Sequence, residues 1–137
     1  MTATVPDLIL ALVTYLKADA SISALVSTKV YRSGDVPISP VLPYLVVSEV
    51  SDLASQFKAD ARVQCSCFAA KDREAANLSK TVRNALHRKT NMLMTAGSKT
   101  VWISKVMDAG DTPDANDEIK VYAHHRDLAV DYDYQVR

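Results

Sequence analysis

The residues able to do chemistry in this 137-residue chain are few and scattered. The histidines are His87, His124 and His125. Neighbours in a strand point to opposite faces, so His124 and His125 cannot readily share a metal, and no HExxH spacing occurs. Cys65 and Cys67 are separated by one residue. In a strand both thiols fall on the same face, too close along one chain for a normal disulfide. A redox pair needs a two-residue gap, and a zinc site needs two further ligands at matched spacing. The pair therefore reads as small buried apolar residues in a reduced protein. No serine sits in a G-x-S-x-G elbow. Gly34, Gly97 and Gly110 stand alone and cannot build a glycine-rich phosphate cradle. Asp131 and Asp133 share a strand face near the C-terminus, where carboxylates are more often solvated charges than an acid–base pair. These residues predict no catalytic group, no metal ion and no cofactor.

Charge is the feature that remains. The chain balances 16 basic against 16 acidic side chains. Zero net charge argues against a dedicated nucleic-acid coat, which needs a basic excess. Along the chain the balance is uneven: residues 1–60 carry 4 basic and 6 acidic residues, 61–107 carry 9 and 2, and 108–137 carry 3 and 8. Basic groups gather on one helix face with Arg73, Lys80 and His87, flanked by Arg83 and Arg88. Acidic groups gather from Asp108 to Glu118, a stretch read as a turn that holds Asp111, Asp114 and Asp117 and no base. Such a bias is either ordinary solvated surface or a basic face and an acidic face through which identical copies meet head to tail. On the second reading Arg73, Lys80, Arg83, Arg88, Asp111, Asp114, Asp117 and Glu118 are candidate subunit-interface residues.

The elements that must position these groups follow from periodicity. Hydrophobic residues make up 48% and charged residues 23%, enough for one folded domain over residues 1–137 without disulfides or metal. The longest apolar run, Leu8 to Val13, is six residues, far short of the ~20 that span a bilayer. No Lys or Arg precedes it, which makes a poor signal peptide, so the chain is expected to start near Met1 and stay in the cytoplasm where it is made. Leu8, Leu12, Tyr15 and Leu16 predict a first helix with Thr4 as N-cap and Pro6 and Asp7 in its first turn. A short turn of helix, Asp19 to Val26, and an extended Val30-Tyr31 follow. Gly34, Pro37, Pro40 and Pro43 make a loop. Tyr44 to Asp52 and Ala61 to Ala69 predict a hairpin whose polar connection is Leu53 to Asp60, with Val63, Cys65 and Cys67 on the buried face. Asp72 to Lys89 predicts the clearest helix, with Ala75, Leu78, Val82, Ala85 and Leu86 as its stripe. A loop ending in Gly97-Ser98 then leads to strands Val101 to Met107 and Ile119 to Tyr134, the latter with Tyr122, Tyr132 and Tyr134 on one face. The expected fold is α+β: an antiparallel sheet of about four strands with helices packed on one face, in the order α-β-β-α-β-β.

The order of these pieces resembles that of the tail completion or tail terminator proteins of long-tailed, siphovirus-like phages. The residues that carry the likeness are Lys17-Ala18-Asp19, Leu25-Val26, Val30-Tyr31, the Pro37 to Pro43 loop, Leu42-Pro43-Tyr44, Arg62-Val63-Gln64 and the alanine-rich helix Ala75 to Leu86. They cover roughly residues 7–90; beyond that the agreement is two strands and a polar turn. The resemblance implies a structural virion protein and not an enzyme. It implies a homo-oligomer, a hexameric ring at the head-proximal end of the tail tube, that ends tube growth and joins tail to head connector. Its implied partners are the tail tube protein and the head connector or neck protein, with no membrane and no sequence-specific nucleic acid. Two other readings stay open: another tail or neck component such as a tube subunit, or a small hydrolase or ligand-binding domain using His87, Asp131 and Asp133.

Overall fold

The computed structural model describes residues 7–54, 58–96 and 99–133. Helix α1 (Leu8–Ala18) starts at Asp7, whose carboxylate accepts the Leu10 N–H at 3.0 Å and satisfies a donor the first turn leaves open. The cap is thus Asp7; Thr4 and Pro6 lie outside the described residues. Asp19 closes α1 and opens α2 (Ala20–Val26) by accepting from the Ser21 and Ile22 N–H groups. The chain bends by 84° between the two helices. Helix α3 (Asp72–Leu86) buries Ala75, Leu78, Val82 and Leu86 of the stripe that its periodicity predicts, with Ala85 half-buried at its margin. It ends before Lys89 because His87 takes an extended ψ of 131°, after which Arg88 adopts φ 64°. Among the described residues no single helix is long and apolar enough to cross a membrane.

Strands β1 (Val30–Arg32), β2 (Tyr44–Ala54), β3 (Lys58–Ala69), β4 (Thr90–Ala96), β5 (Lys99–Asn116) and β6 (Val121–Asp133) form one sheet, ordered β1-β2-β3-β6-β5-β4. β1 runs parallel to β2 and every other pairing is antiparallel. The sheet curls into a half-barrel, and α1 touches β4 at one edge and β1 and β2 at the other. Helix α3 packs along β3, β6 and β5 between those edges. Alternate residues of each strand face the helices: Leu45 and Val47, Val63, Cys65 and Cys67, and Leu128, Val130 and Tyr132 are all buried. Tyr132 is therefore core, as are both cysteines; Tyr134 lies outside the described residues.

The expected four-stranded antiparallel sheet in the order α-β-β-α-β-β is overturned by six strands, three helices and one parallel pairing. Two segments account for most of the difference. β4 hides its alternation because the outward Leu93 is as apolar as the inward Met92 and Met94 on either side. The supposed acidic turn from Asp108 is the second half of β5, paired with β6 as far as Asn116 opposite Val121. Its Asp, Gly, Pro and Asn residues are turn formers, and pairing overrides them. β4 pairs only with the part of β5 up to Lys105, and Arg88 and Lys89 just before it bond the Val106 backbone, so among the described residues the far half of β5 forms a sheet edge, where Pro113 is tolerated. The polar connection read at Leu53 to Asp60 is likewise mostly strand; residues 55–57 lie outside the described residues.

Candidate functional site

Asp108 and Asp111 are three residues apart, which in a regular strand puts their side chains on opposite faces. The ladder slips between Asp108 and Gly110, leaving Ala109 as an extra residue, and Gly110 takes φ 122°. That bulge, whose backbone favours glycine, returns both carboxylates to the face that meets α3. Asp108 then stands opposite Leu128, and Asp111 opposite Arg126. On β6, His124 and Arg126 occupy the same inward positions as Leu128 and Val130, so charged groups replace apolar ones at this end of the sheet.

The result is a seam of paired charges between α3 and the β5–β6 hairpin. Arg126 Nη1 donates to both Asp108 oxygens at 3.1 Å, and its Nε donates to the Ser79 hydroxyl at 3.1 Å. Ser79 in turn donates to Asp111 at 2.6 Å. Arg83 Nε adds a bond to Asp108 at 3.2 Å, and the Asp108 N–H donates to His87 Nδ1 at 3.0 Å. His124 lies between two carboxylates, Nδ1 at 2.7 Å from Asp111 and Nε2 at 2.9 Å from Asp72 at the start of α3. Burial works to raise the Asp108 carboxyl, yet hydrogen bonds from Arg126, Gly110 and Arg83 and the Arg126 charge hold it below 3.8. Asp111 is lowered in the same way, by Ser79, His124 and Arg126 against its burial. Burial works to lower the His124 imidazole, and hydrogen bonds and charge from Asp111 and Asp72 raise it above 6.5. The imidazolium form donates from both nitrogens, so the proton serves as a clamp between helix and hairpin.

The opposite face of the sheet carries a groove of about 800 Å³. Its floor is Tyr44 stacked on Phe68, ring centroids 4.8 Å apart, with Ala123 beside them. Pro40 and Leu42 of the proline loop line it, as does the hairpin tip with Asp114, Asp117, Glu118 and Ile119. Asp117 accepts from the Tyr122 hydroxyl at 3.2 Å, and Asp114 comes within 3.8 Å of His125 Nε2.

The candidate interface residues divide between these places. Arg83 and Asp111 are engaged in the seam within the chain itself. Arg73, Lys80 and Arg88 are exposed on α3 and at its exit, and Asp114, Asp117 and Glu118 are exposed on the hairpin. His87 and Asp131 do not converge: His87 meets β5 from the end of α3, whereas Asp131 alternates to the outer face of β6 between the inward Val130 and Tyr132. The Asp133 side chain lies outside the described residues. Among the described residues no group of three or more His, Cys, Asp or Glu is placed to hold a metal ion. Sequence reasoning missed the seam itself. Its signal was His124 and Arg126 at a spacing of two, in phase with Leu128, Val130 and Tyr132.

The chain is thus a small α+β fold with a curled sheet, a charge-locked hairpin and an open outer groove. The sequence model of the tail completion protein gp17 family matches residues 10–127, most of the chain, and the protein belongs to that family. It is a structural protein of a phage-like tail. Its fold is shared by a chain in the virion of a native gene transfer agent particle, 21% identical over 92% of this chain and 94% of that one, with a TM-score of 0.71. A second solved structure, 17% identical, has a TM-score of 0.52 over 93% of this chain and 89% of its own. No curated protein matches the sequence.

Proposed function

We propose that the protein caps the head-proximal end of the tail tube as a hexameric ring, ends tube growth there and offers the surface that meets the head connector. The family match over residues 10–127 carries this reading. The physical requirement is a subunit whose two ring faces differ and whose sides fit each other. The exposed bases Arg73 and Lys80 on α3 and Arg88 at its exit, and the exposed acids Asp114, Asp117 and Glu118 on the hairpin, supply two such unlike surfaces. Opposite charges on separate surfaces of one chain are complementary between copies, which suits the head-to-tail contact a ring needs.

Electron microscopy of tails assembled with and without the protein tests the reading. Expected are rings at one tube end, and tubes of uncontrolled length when the protein is left out. Labelled protein distributed along the tube would instead mark it as a tube subunit. A small-molecule hydrolase is not favoured, since His87 and Asp131 sit apart on opposite sides of the sheet.

A further inference from the structure

We propose that the outer-face groove receives the β4 edge of a second copy of this chain, through Leu93 and the basic corner Arg88-Lys89. The inference rests on the ring-forming reading and names the contact within it.

The groove defines its occupant. Its floor is aromatic and aliphatic, and its hairpin wall carries Asp114, Asp117 and Glu118. Ile119 on that wall is 66% exposed, and Val41, beside the lining residues Pro40 and Leu42, is 67% exposed. A matching surface must be apolar and positively charged together. The β4 edge is such a surface. Among the described residues it is the last strand of the sheet, with one side of its backbone unpaired by any neighbouring strand. Leu93 is 61% exposed on it, directly across the ladder from the half-buried Trp102. Arg88 and Lys89, both exposed, stand where α3 turns into this edge.

The two surfaces cannot meet within one chain. Leu93 lies opposite Trp102, while the groove wall begins at Asp114 on the same strand. At ~3.3 Å per residue the separation along β5 is roughly 40 Å. The complement must therefore come from another molecule, and a contact between two different patches of identical chains closes into a ring when the rotation allows. The bases on the outer side of α3 lack an apolar companion of this kind. Arg83 already pairs with Asp108, and Arg73 sits at the other end of the helix.

The test uses two full-length variants: Asp114→Lys with Asp117→Lys, and Arg88→Glu with Lys89→Glu. The first has a basic groove and a basic edge; the second has an acidic groove and an acidic edge. Each alone repels itself, but in a mixture every groove meets an edge of opposite charge. Mass is measured by light scattering for the wild type, each variant and the mixture, with thermal unfolding to show that each variant is folded. Expected is an oligomer for the wild type, the monomer mass for each variant alone, and recovery of the oligomer on mixing. Leu93→Asp, a surface change, is expected to give the monomer on its own. Wild-type mass in either charge variant or in Leu93→Asp overturns the proposal, as does failure of two folded variants to recover on mixing. A monomeric wild type overturns it also. The tail-end reading is judged separately, by where the wild type lies on tubes in the microscope, so variants that keep their mass and still cap tube ends remove this contact alone.

Discussion

Arg126 Nη1 lies 3.1 Å from both carboxylate oxygens of Asp108, and the arginine side chain is only 9% exposed. Removing one member of a buried pair leaves the other's charge undercompensated, at a cost of up to ~3–5 kcal/mol, here reduced because Arg83 and Gly110 still bond Asp108. Arg126→Met is expected to destabilise the fold by up to that much in urea unfolding. Adding Asp108→Asn and Asp111→Asn should recover part of the loss. Additive losses would show that the groups do not act as a unit.

The clamp on His124 gives stability a pH dependence with two limits. The raised imidazole contributes fully below its ordinary value of 6.5, and the contribution is lost as pH rises through the folded value. The lowered Asp108 and Asp111 contribute above 3.8 and lose it as pH falls through their folded values. The seam is thus strongest between those limits. The excess melting temperature of wild type over His124→Asn should shrink from about pH 5 to about pH 9. A constant difference would mean that the proton on His124 does not hold the hairpin.

Cys65 and Cys67 are fully buried, and burial pushes the Cys65 thiol up to about 12 and the Cys67 thiol well above its ordinary range. Thiolate is the reactive form, so the native protein should not react with Ellman's reagent until denaturant exposes both groups. Changing both to Ala should leave assembly intact and cost ~1–3 kcal/mol in unfolding measurements. Rapid labelling of the folded chain would contradict the placement of these thiols.

Contacts between the exposed charges of separate copies are screened over ~10 Å at 0.1 M salt and ~3 Å at 1 M. Assembly driven by Arg88, Lys89, Asp114 and Asp117 should therefore weaken across that range, while the melting temperature, set by buried groups, changes less. Sedimentation and thermal unfolding on the same samples check this. An oligomer mass unaffected by salt would assign the contact to apolar surface alone.

Single elements could be read where burial and periodicity agree, although the strand count and the order of the sheet could not. The α3 stripe and the alternation of β3 appear in the structure as the residues imply, and so does the family, through the order of helix, proline loop, strand and helix. Reading stopped where tertiary pairing overrides local preference. Asp108 to Asn116 has the composition of a turn, and its extended form depends on a partner strand and on Arg126. The seam was harder still, because Asp108 and Asp111 share a face only through the Ala109 bulge, and a spacing of three argues against that. β1 pairs in parallel across a loop whose prolines reveal a break and not a direction.

Helix α1 holds both margins of the sheet, yet one of them, β4, begins more than seventy residues later in the chain. A growing polypeptide therefore carries Leu8 to Leu16 out of the ribosome long before their cover exists. Until Thr90–Ala96 emerges, that apolar stripe is sheltered by α2, β1 and β2 but lacks the strand it touches at the other margin. Contacts of such long sequence separation slow folding and favour an all-or-none closure late in synthesis. A nascent chain halted before β4 is consequently the species most exposed to aggregation and to chaperones.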